Sequence, residues 1–483
     1  QIEKMVADTK KLLEFQETPS TKEELLKIPM LNREDIKREV APIYNTELKA
    51  GNTLLLHHNL STNGIGYLNI LFDTNQVPEA LLPYMGILKS VLGYMDTENF
   101  KYGELFNEIN IHSGGIYTSL SLYPNLKNKK DIKVAYEVKA KVLYSQMDFA
   151  FNMIKEILFS TKFDDEKRLY EIIAQLKSRL QMSLTSAGHS TAATRSMSYF
   201  SPVSYLSDLT GGISFYHLIE EIESDFDHKK EQLISNLKQL MYYIFRPENM
   251  MVSYTSEESG LHGMEHRIID LEKSLYTKEV KKDTYTFPFA QLNEGFKTSS
   301  KVQYVARSGN FVSAGYEYTG ALKILKVILS YEYLWTNIRV KGGAYGCMSG
   351  FNKLGDTYFV SYRDPNLEKT NEVFEGITDY IRNFQVDERD MVKYIIGTIS
   401  DMDVPMNPSA KGSRSLGIYL TKQTFEDLQE ERNQVLDADI HSIRELADLM
   451  EEVLKQNHLC VIGSEEKIEE QSKLFQTVEQ LIR

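Results

Sequence analysis

The chain is 483 residues long, with 42% hydrophobic and 25% charged residues, a balance ordinary for folded proteins and a length that suits two or three domains rather than one core. Its formal net charge of -13 argues against nucleic acid or anionic membranes as partners and mildly favours cationic substrates through long-range steering. No uninterrupted apolar run reaches the roughly 18 residues a membrane-spanning helix needs, and two cysteines, Cys347 and Cys460, cannot form a disulfide framework and fit a reducing compartment.

Gln1–Met5 has neither the basic stretch nor the apolar core of a secretory leader and no initiator Met, so the start reads as that of a processed product or a fragment, in an expected bacterial cytoplasmic setting. Residues 1–28 read as a helical pair: a charged helix over Glu3–Phe15, a break at Thr18-Pro19-Ser20-Thr21, and a second helix to Lys27, capped by Ser20 or Thr21 and ended by Pro29. With little apolar surface of its own, this pair is expected to be a connector.

Residues 29–278 alternate strands and helices. Strands are expected at 52–58 and 66–72, helices at 78–95 and 102–111, strands at 116–122 and 133–142, long helices to about Phe245 broken near Ser207–Gly212, then a strand at Met250–Thr255 and a helix at Leu261–Leu275. Residues 279–483 repeat that order. Strands are expected at Lys301–Ala306 and Phe311–Tyr318, an apolar helix at Leu322–Ile338, strands at Tyr345–Phe351 and Tyr358–Arg363, a helix capped by Asp364-Pro365, and a last strand and helix from His458. The block ends superimpose: Asn249 through Glu258 and Asn457 through Glu466 match strand, Ser-Glu-Glu and helix at an offset of 208 residues, which indicates an internal duplication.

Several motifs invite a chemical reading. His262-Gly263-Met264-Glu265-His266 has the H-x-x-E-H spacing of an inverted zinc signature. However, Leu261, Met264, Ile268, Leu271 and Leu275 form an apolar stripe that the histidines merely flank, no third ligand follows in a convincing setting, and the duplicated positions are Glu470, Lys473 and Leu474. No metal site is expected here. His57 and His58, adjacent in a strand, point to opposite faces and cannot ligate together. His112-Ser113-Gly114-Gly115 reads as a helix end and turn, and Gly188-His189-Ser190 as a turn between helices. No phosphate loop and no nucleophile–base pairing is present.

The most informative run is Arg339-Val340-Lys341-Gly342-Gly343-Ala344-Tyr345-Gly346. A cation and a phenol stand six residues apart across a Gly-Gly turn, two donors that a protein can aim at a substrate carbonyl, while the glycines let backbone approach a ligand. A helix-terminal cation and a strand aromatic would produce the same pair without any function.

These residues, together with Phe359 through Asn366, Ile28 through Ile36, and Gly188-His189-Ser190 with Ala192 and Arg195, resemble the insulinase (pitrilysin) family of zinc metallopeptidases, most closely its presequence-protease-like subfamily. The resemblance implies an α/β (α+β) fold. It comprises a helical hairpin (1–28) and two tandem insulinase-like domains (29–278 and 279–483), each a mixed, mostly antiparallel sheet packed with helices. It further implies the C-terminal, substrate-binding half of an endopeptidase that degrades unfolded peptides in a closed chamber. Arg339 and Tyr345 would be the catalytic donors and Gly342 and Gly343 substrate-binding backbone. Zn2+ would be bound by the N-terminal half, the expected partner, with none in this chain, which alone would be inactive. Neither nucleic acid nor membrane is an expected partner. The alternative is a non-catalytic partner or scaffold subunit of an insulinase-like assembly.

Overall fold

A computed structural model describes residues 2–18, 20–281 and 287–483. The connector forms helices α1 (Ile2–Glu17) and α2 (Lys22–Leu26); Pro19, in the expected break between them, lies outside the described residues. Thr21 starts α2 through a reciprocal cap: its hydroxyl accepts from the Glu24 amide at 3.3 Å while the Glu24 carboxylate accepts from the Thr21 amide at 2.8 Å.

The rest builds two six-stranded sheets. The first contains β1 (Thr46–Ala50), β2 (Thr53–Asn59), β3 (Ile65–Asp73), β4 (Ile116–Pro124), β5 (Ile132–Leu143) and β6 (Met250–Ser256), in the order β1-β2-β6-β3-β5-β4. The second contains β7 (Asn293–Thr298), β8 (Tyr304–Asn310), β9 (Gly346–Phe351), β10 (Asp356–Tyr362), β11 (His458–Ser464) and β12 (Thr477–Gln480), in the order β12-β7-β11-β8-β10-β9. Five strands correspond pairwise, and in both sheets one parallel pairing, β2 with β6 and β7 with β11, is followed by antiparallel ones. The fold is thus a repeated one. Only the outer strand differs: β1 is antiparallel to β2, whereas β12 arrives from the chain's end and lies parallel to β7.

The helices of the first unit are α3 (Leu82–Val91), α4 (Tyr102–His112), α5 (Met147–Phe159), α6 (Glu166–Ser186), α7 (Gly188–Ser198), α8 (Pro202–Gly211), α9 (Ile213–Ser224), α10 (Phe226–Ile244) and α11 (Met264–Ser274). Those of the second are α12 (Ala321–Ile328), α13 (Glu368–Glu375), α14 (Ile377–Arg382), α15 (Glu388–Met402), α16 (Pro408–Leu420), α17 (Phe425–Leu436), α18 (Ile440–Arg444), α19 (Leu446–Lys455) and α20 (Glu465–Glu470). Each sheet buries one face against its own unit's helices, around Ile70, Tyr136, Val252 and Leu88 in the first and Val305, Phe359, Val461 and Leu325 in the second. The other face of each is covered by a helix of the opposite unit. Helix α7 lays Ala192 and Ala193 on Tyr304, Ala306, Val360 and Cys460, and α16 lays Leu416 and Leu420 on Leu56, Leu71, Ala135 and Met251. Both contacts need glycine: a Cβ at Gly188 would overlap the Tyr304 ring, and one at Gly412 would overlap Thr255.

Five points differ from the expectations. Phe311–Tyr318 is not a strand: the Asn310 side chain accepts from the Ser313 amide at 2.8 Å and Gly315 turns with φ +92, so the chain folds back there. Strand β8 instead runs on to Asn310, because Arg307 is buried with the Glu375 carboxylate and the Leu454 carbonyl as partners. The polar segment Asn293–Thr298 is a central strand, its Glu294 neutralised by Arg195. Gly188-His189-Ser190 opens α7 rather than forming a turn, and Asp364-Pro365 caps nothing, since Leu367 holds the cap position of α13.

Candidate functional site

Helix α12 does not end as a regular helix. It continues through two wider turns with π-type bonding, Leu329–Tyr333 and Trp335–Val340. Such turns are rare and cluster at functional positions. Arg339 sits in the second, and its guanidinium carbon lies 4.0 Å from the centre of the Trp335 ring, the chain's single Trp, and 5.7 Å from that of Tyr345. The chain then closes tightly: the Gly343 and Ala344 amides donate to the Arg339 and Ile338 carbonyls at 2.9 and 3.1 Å. Gly343 takes φ +82, open to glycine and strained for any other residue, and a Cβ on Gly342 would strike the Ile338 carbonyl. Asn366 secures the turn, donating from Nδ2 to the Gly342 carbonyl at 2.6 Å. Asn366 is itself held by Asp364, whose buried carboxylate accepts from the Asn366 amide (2.9 Å) and the Thr370 hydroxyl (2.6 Å); burial raises that carboxyl's pKa against these bonds.

The turn thereby delivers Arg339 and Tyr345 to one corner of the second sheet. Tyr345 is 66% exposed, and among the described residues neither its hydroxyl nor the Arg339 guanidinium has a hydrogen-bond or carboxylate partner. Two donors are therefore left uncommitted beside one another. Gly343 is exposed and Gly342 half-buried on the same turn. Behind them runs an aromatic row: Tyr345 meets Tyr362 edge-on at 5.7 Å, Tyr362 meets His189 of α7 at 4.9 Å, and Arg363 lies 5.6 Å from the Tyr362 ring. Burial pushes the His189 pKa down and so favours the neutral ring; its Nδ1 is buried without a partner. Burial likewise raises the neighbouring Cys347 thiol to about 11, against the pull of the Arg339 charge, so it stays protonated and is no nucleophile.

The structure brings the expected Arg339, Gly342, Gly343 and Tyr345 together on one turn, and beside them stand Trp335, which the sequence reading did not single out, and Tyr362, Asn366 and His189, which lie in quoted motifs but were given no place at the site. For Trp335 the signal was present, a lone Trp four residues before the Arg on a helix. For His189 the motif Gly188-His189-Ser190 stood out, but not its proximity to this corner, which comes from α7 crossing between units.

The described residues of this chain do not fit a zinc ion. His262 precedes Gly263, whose φ of +74 starts α11 only at Met264, so the two histidines do not share a helical face; His262, Glu265 and His266 are all exposed or half-buried at the surface. Among the described residues no group of three or more His, Cys, Asp or Glu side chains is placed to hold a metal. His57 and His58 are occupied separately, the former by Ser256 and the latter by the Tyr44 carbonyl and the Ser253 hydroxyl. No described helix is long and apolar enough to cross a membrane.

Comparison with known proteins supplies the class. Residues 1–222 match the family model for the region associated with subfamily C of the M16 peptidases, and residues 293–465 match the "PreP C-terminal domain". Protein HypA of Clostridium perfringens is 38% identical over 482 residues, covering 100% of this chain and 49% of that protein. The chloroplastic/mitochondrial presequence protease 1 of Arabidopsis thaliana is 28% identical over 479 residues, covering 97% of this chain and 44% of its own. Among solved structures, a peptidase M16 inactive domain from Pseudomonas fluorescens superimposes with a TM-score of 0.56 at 13% identity, over 86% of this chain and 97% of that one. The chain spans about half the length of the curated relatives it matches. It belongs to the presequence-protease branch of the M16 (insulinase, pitrilysin) metallopeptidases and corresponds to their C-terminal half.

Proposed function

We propose that this chain is the substrate-gripping half of a zinc-dependent endopeptidase that degrades unfolded peptides within a closed chamber. Its connector is residues 1–28, and its two domains are residues 29–278 and 279–483. The observation that carries this reading is the pair of uncommitted donors, Arg339 and Tyr345, held on a braced Gly-Gly turn in a chain whose described residues fit no metal. A site that binds a peptide bond without cleaving it needs donors and no metal; the zinc would belong to the complementary N-terminal half.

Tyr345 would donate to the oxyanion that develops as the peptide carbonyl is attacked, and Arg339 to a substrate carbonyl or carboxylate. The backbone at Gly342-Gly343, with no side chain in the way, would lie against the substrate. Donors fixed in advance by the turn, by Trp335 and by Asn366 need no reorganisation as charge builds, which is where such groups gain their effect. The likeness to relatives named as presequence proteases, and to a structure titled an inactive M16 domain, supports a division of labour between two halves. The test is Tyr345→Phe in the enzyme assembled with its N-terminal half: turnover should fall about 10²–10³-fold with zinc content unchanged. Undiminished turnover would remove Tyr345 from the mechanism.

A further inference from the structure

The first sheet carries a counterpart of the Arg339–Tyr345 corner. Strand β9 is entered through Gly342-Gly343-Ala344-Tyr345; its topological equivalent β4 is entered through Gly114-Gly115-Ile116-Tyr117. The second glycine has positive φ in both, +82 at Gly343 and +115 at Gly115, and Tyr117 is 56% exposed. A helix from the opposite unit starts near each corner: α7 sets His189 against Tyr362, the ring that Tyr345 meets, and α16 brings Ser409 into a cavity lined by Tyr117.

At the first-sheet corner the elements enclose a cavity of about 380 Å³, within the size range of small-ligand sites. Tyr67, Tyr117, Lys139, Lys141, Ser409 and Ser413 contribute to its wall, and none of its described lining residues is acidic. In a chain of net charge -13 such a lining is not a matter of composition. Lys139 is already neutralised, 2.5 Å from the buried Glu137, which also accepts from Ser119, Ser121 and Tyr123. Lys141 is not: among the described residues it has no carboxylate partner, and its ammonium lies 5.8 Å from the Tyr67 ring centre. Its stem crosses Gly114, where a Cβ would approach Cδ to 2.9 Å, so the Gly-Gly entry also makes room for this cation. The backbone locks the two together, the Gly114 amide donating to the Lys141 carbonyl at 2.7 Å.

We propose that this cavity is a second ligand site, which takes a carboxylate of a bound peptide on Lys141 with the Tyr67 and Tyr117 phenols and the α16 hydroxyls around it. That the carboxylate belongs to a peptide rests on the reading of the Arg339–Tyr345 corner as a peptide grip; the carboxylate itself rests on the lining of the cavity. An uncommitted cation and surrounding hydroxyl donors suit an anionic acceptor, and charge-assisted bonds of this type are the stronger ones. The carboxylate comes either from the peptide's C-terminus or from an acidic side chain.

The experiment is fluorescence anisotropy with the 483-residue chain and three labelled, N-acetylated Gly/Ser/Ala peptides: one with a free C-terminal carboxylate, one amidated, and one amidated with a single internal Glu. Lys141→Gln, checked for fold by circular dichroism, should weaken binding of a carboxylate-bearing peptide about tenfold and leave the amidated neutral peptide unchanged. Loss confined to the free-acid peptide assigns the C-terminus; loss confined to the Glu peptide assigns an acidic side chain. Tyr117→Phe should reproduce part of the effect, and Arg339→Gln should add to Lys141→Gln because the corners are separate. Equal affinities of wild type and Lys141→Gln for both carboxylate peptides, or an effect that vanishes in the Arg339→Gln background, would overturn the site. Because the readout is binding, it stands apart from the turnover test at Tyr345.

Discussion

Arg339 rests its guanidinium on the ring of Trp335, one turn earlier in the same helix, with 4.0 Å between guanidinium carbon and ring centre. The ring limits where the cation can swing and leaves its N–H edge uncommitted. Trp335→Ala should lower kcat/KM of the assembled enzyme about three- to fivefold, the scale of an exposed cation–π contact. Trp335→Phe should retain most of it, and Arg339→Lys should not rescue either, because an ammonium lacks the planar fork. Steady-state kinetics of the three variants checks this.

Asn366 acts through the Gly342 carbonyl. Asn366→Ala should cost about 1 kcal/mol of stability, the net worth of one hydrogen bond, and loosen the turn so that kcat falls more than KM rises. Asn366→Asp should be no better, since a carboxylate cannot donate to a carbonyl and would stand beside Asp364. Urea denaturation alongside kinetics separates the two effects.

Arg195 of α7 bonds Asp208 at 2.7 Å and Glu294 of the second sheet at 2.6 Å, joining the two units. Removing it leaves two largely buried carboxylates without their cation. Arg195→Ala should destabilise by about 3 kcal/mol, far more than an exposed pair would. Differential scanning calorimetry should show the loss, and Glu294→Gln in that background should recover part of it.

Acid should loosen the fold before the carboxylates titrate. Burial depresses His58 and His458 to about 4 from an ordinary 6.5, His458 also feeling the Arg307 charge. The unfolded chain therefore binds these protons near pH 6.5 and the folded chain only near pH 4. The associated stability is fully present above about pH 6.5 and is lost as pH falls toward about 4, by up to about 3 kcal/mol per ring. Melting temperatures between about pH 7 and about pH 4.5 should fall, with a shallower slope in a His58→Asn/His458→Gln variant.

Much of the architecture was legible because hydrophobic periodicity is local: β3, β5, β6 and α4 lie where the pattern predicts them. The misses share a cause. Asn293–Thr298 and Arg307–Asn310 are polar segments in strands, and their charges are tolerated only because Arg195 and Glu375 arrive from elsewhere in the chain. Asp364 read as a helix cap in the sequence and is instead the brace behind Asn366, since side-chain hydrogen bonding has no periodic signature.

The sequence by itself determined the duplicated order of strands and helices and the closeness of Arg339 to Tyr345, because six residues spanning a Gly-Gly turn carry their geometry with them. Only the tertiary structure decided what surrounds that pair and its counterpart. His189 reaches Tyr362, and Ser409 reaches the Lys141 cavity, because each sheet's open apolar face must be covered and each unit covers the other's. Burial of that kind follows the shape of the whole chain, which no local stretch of residues encodes.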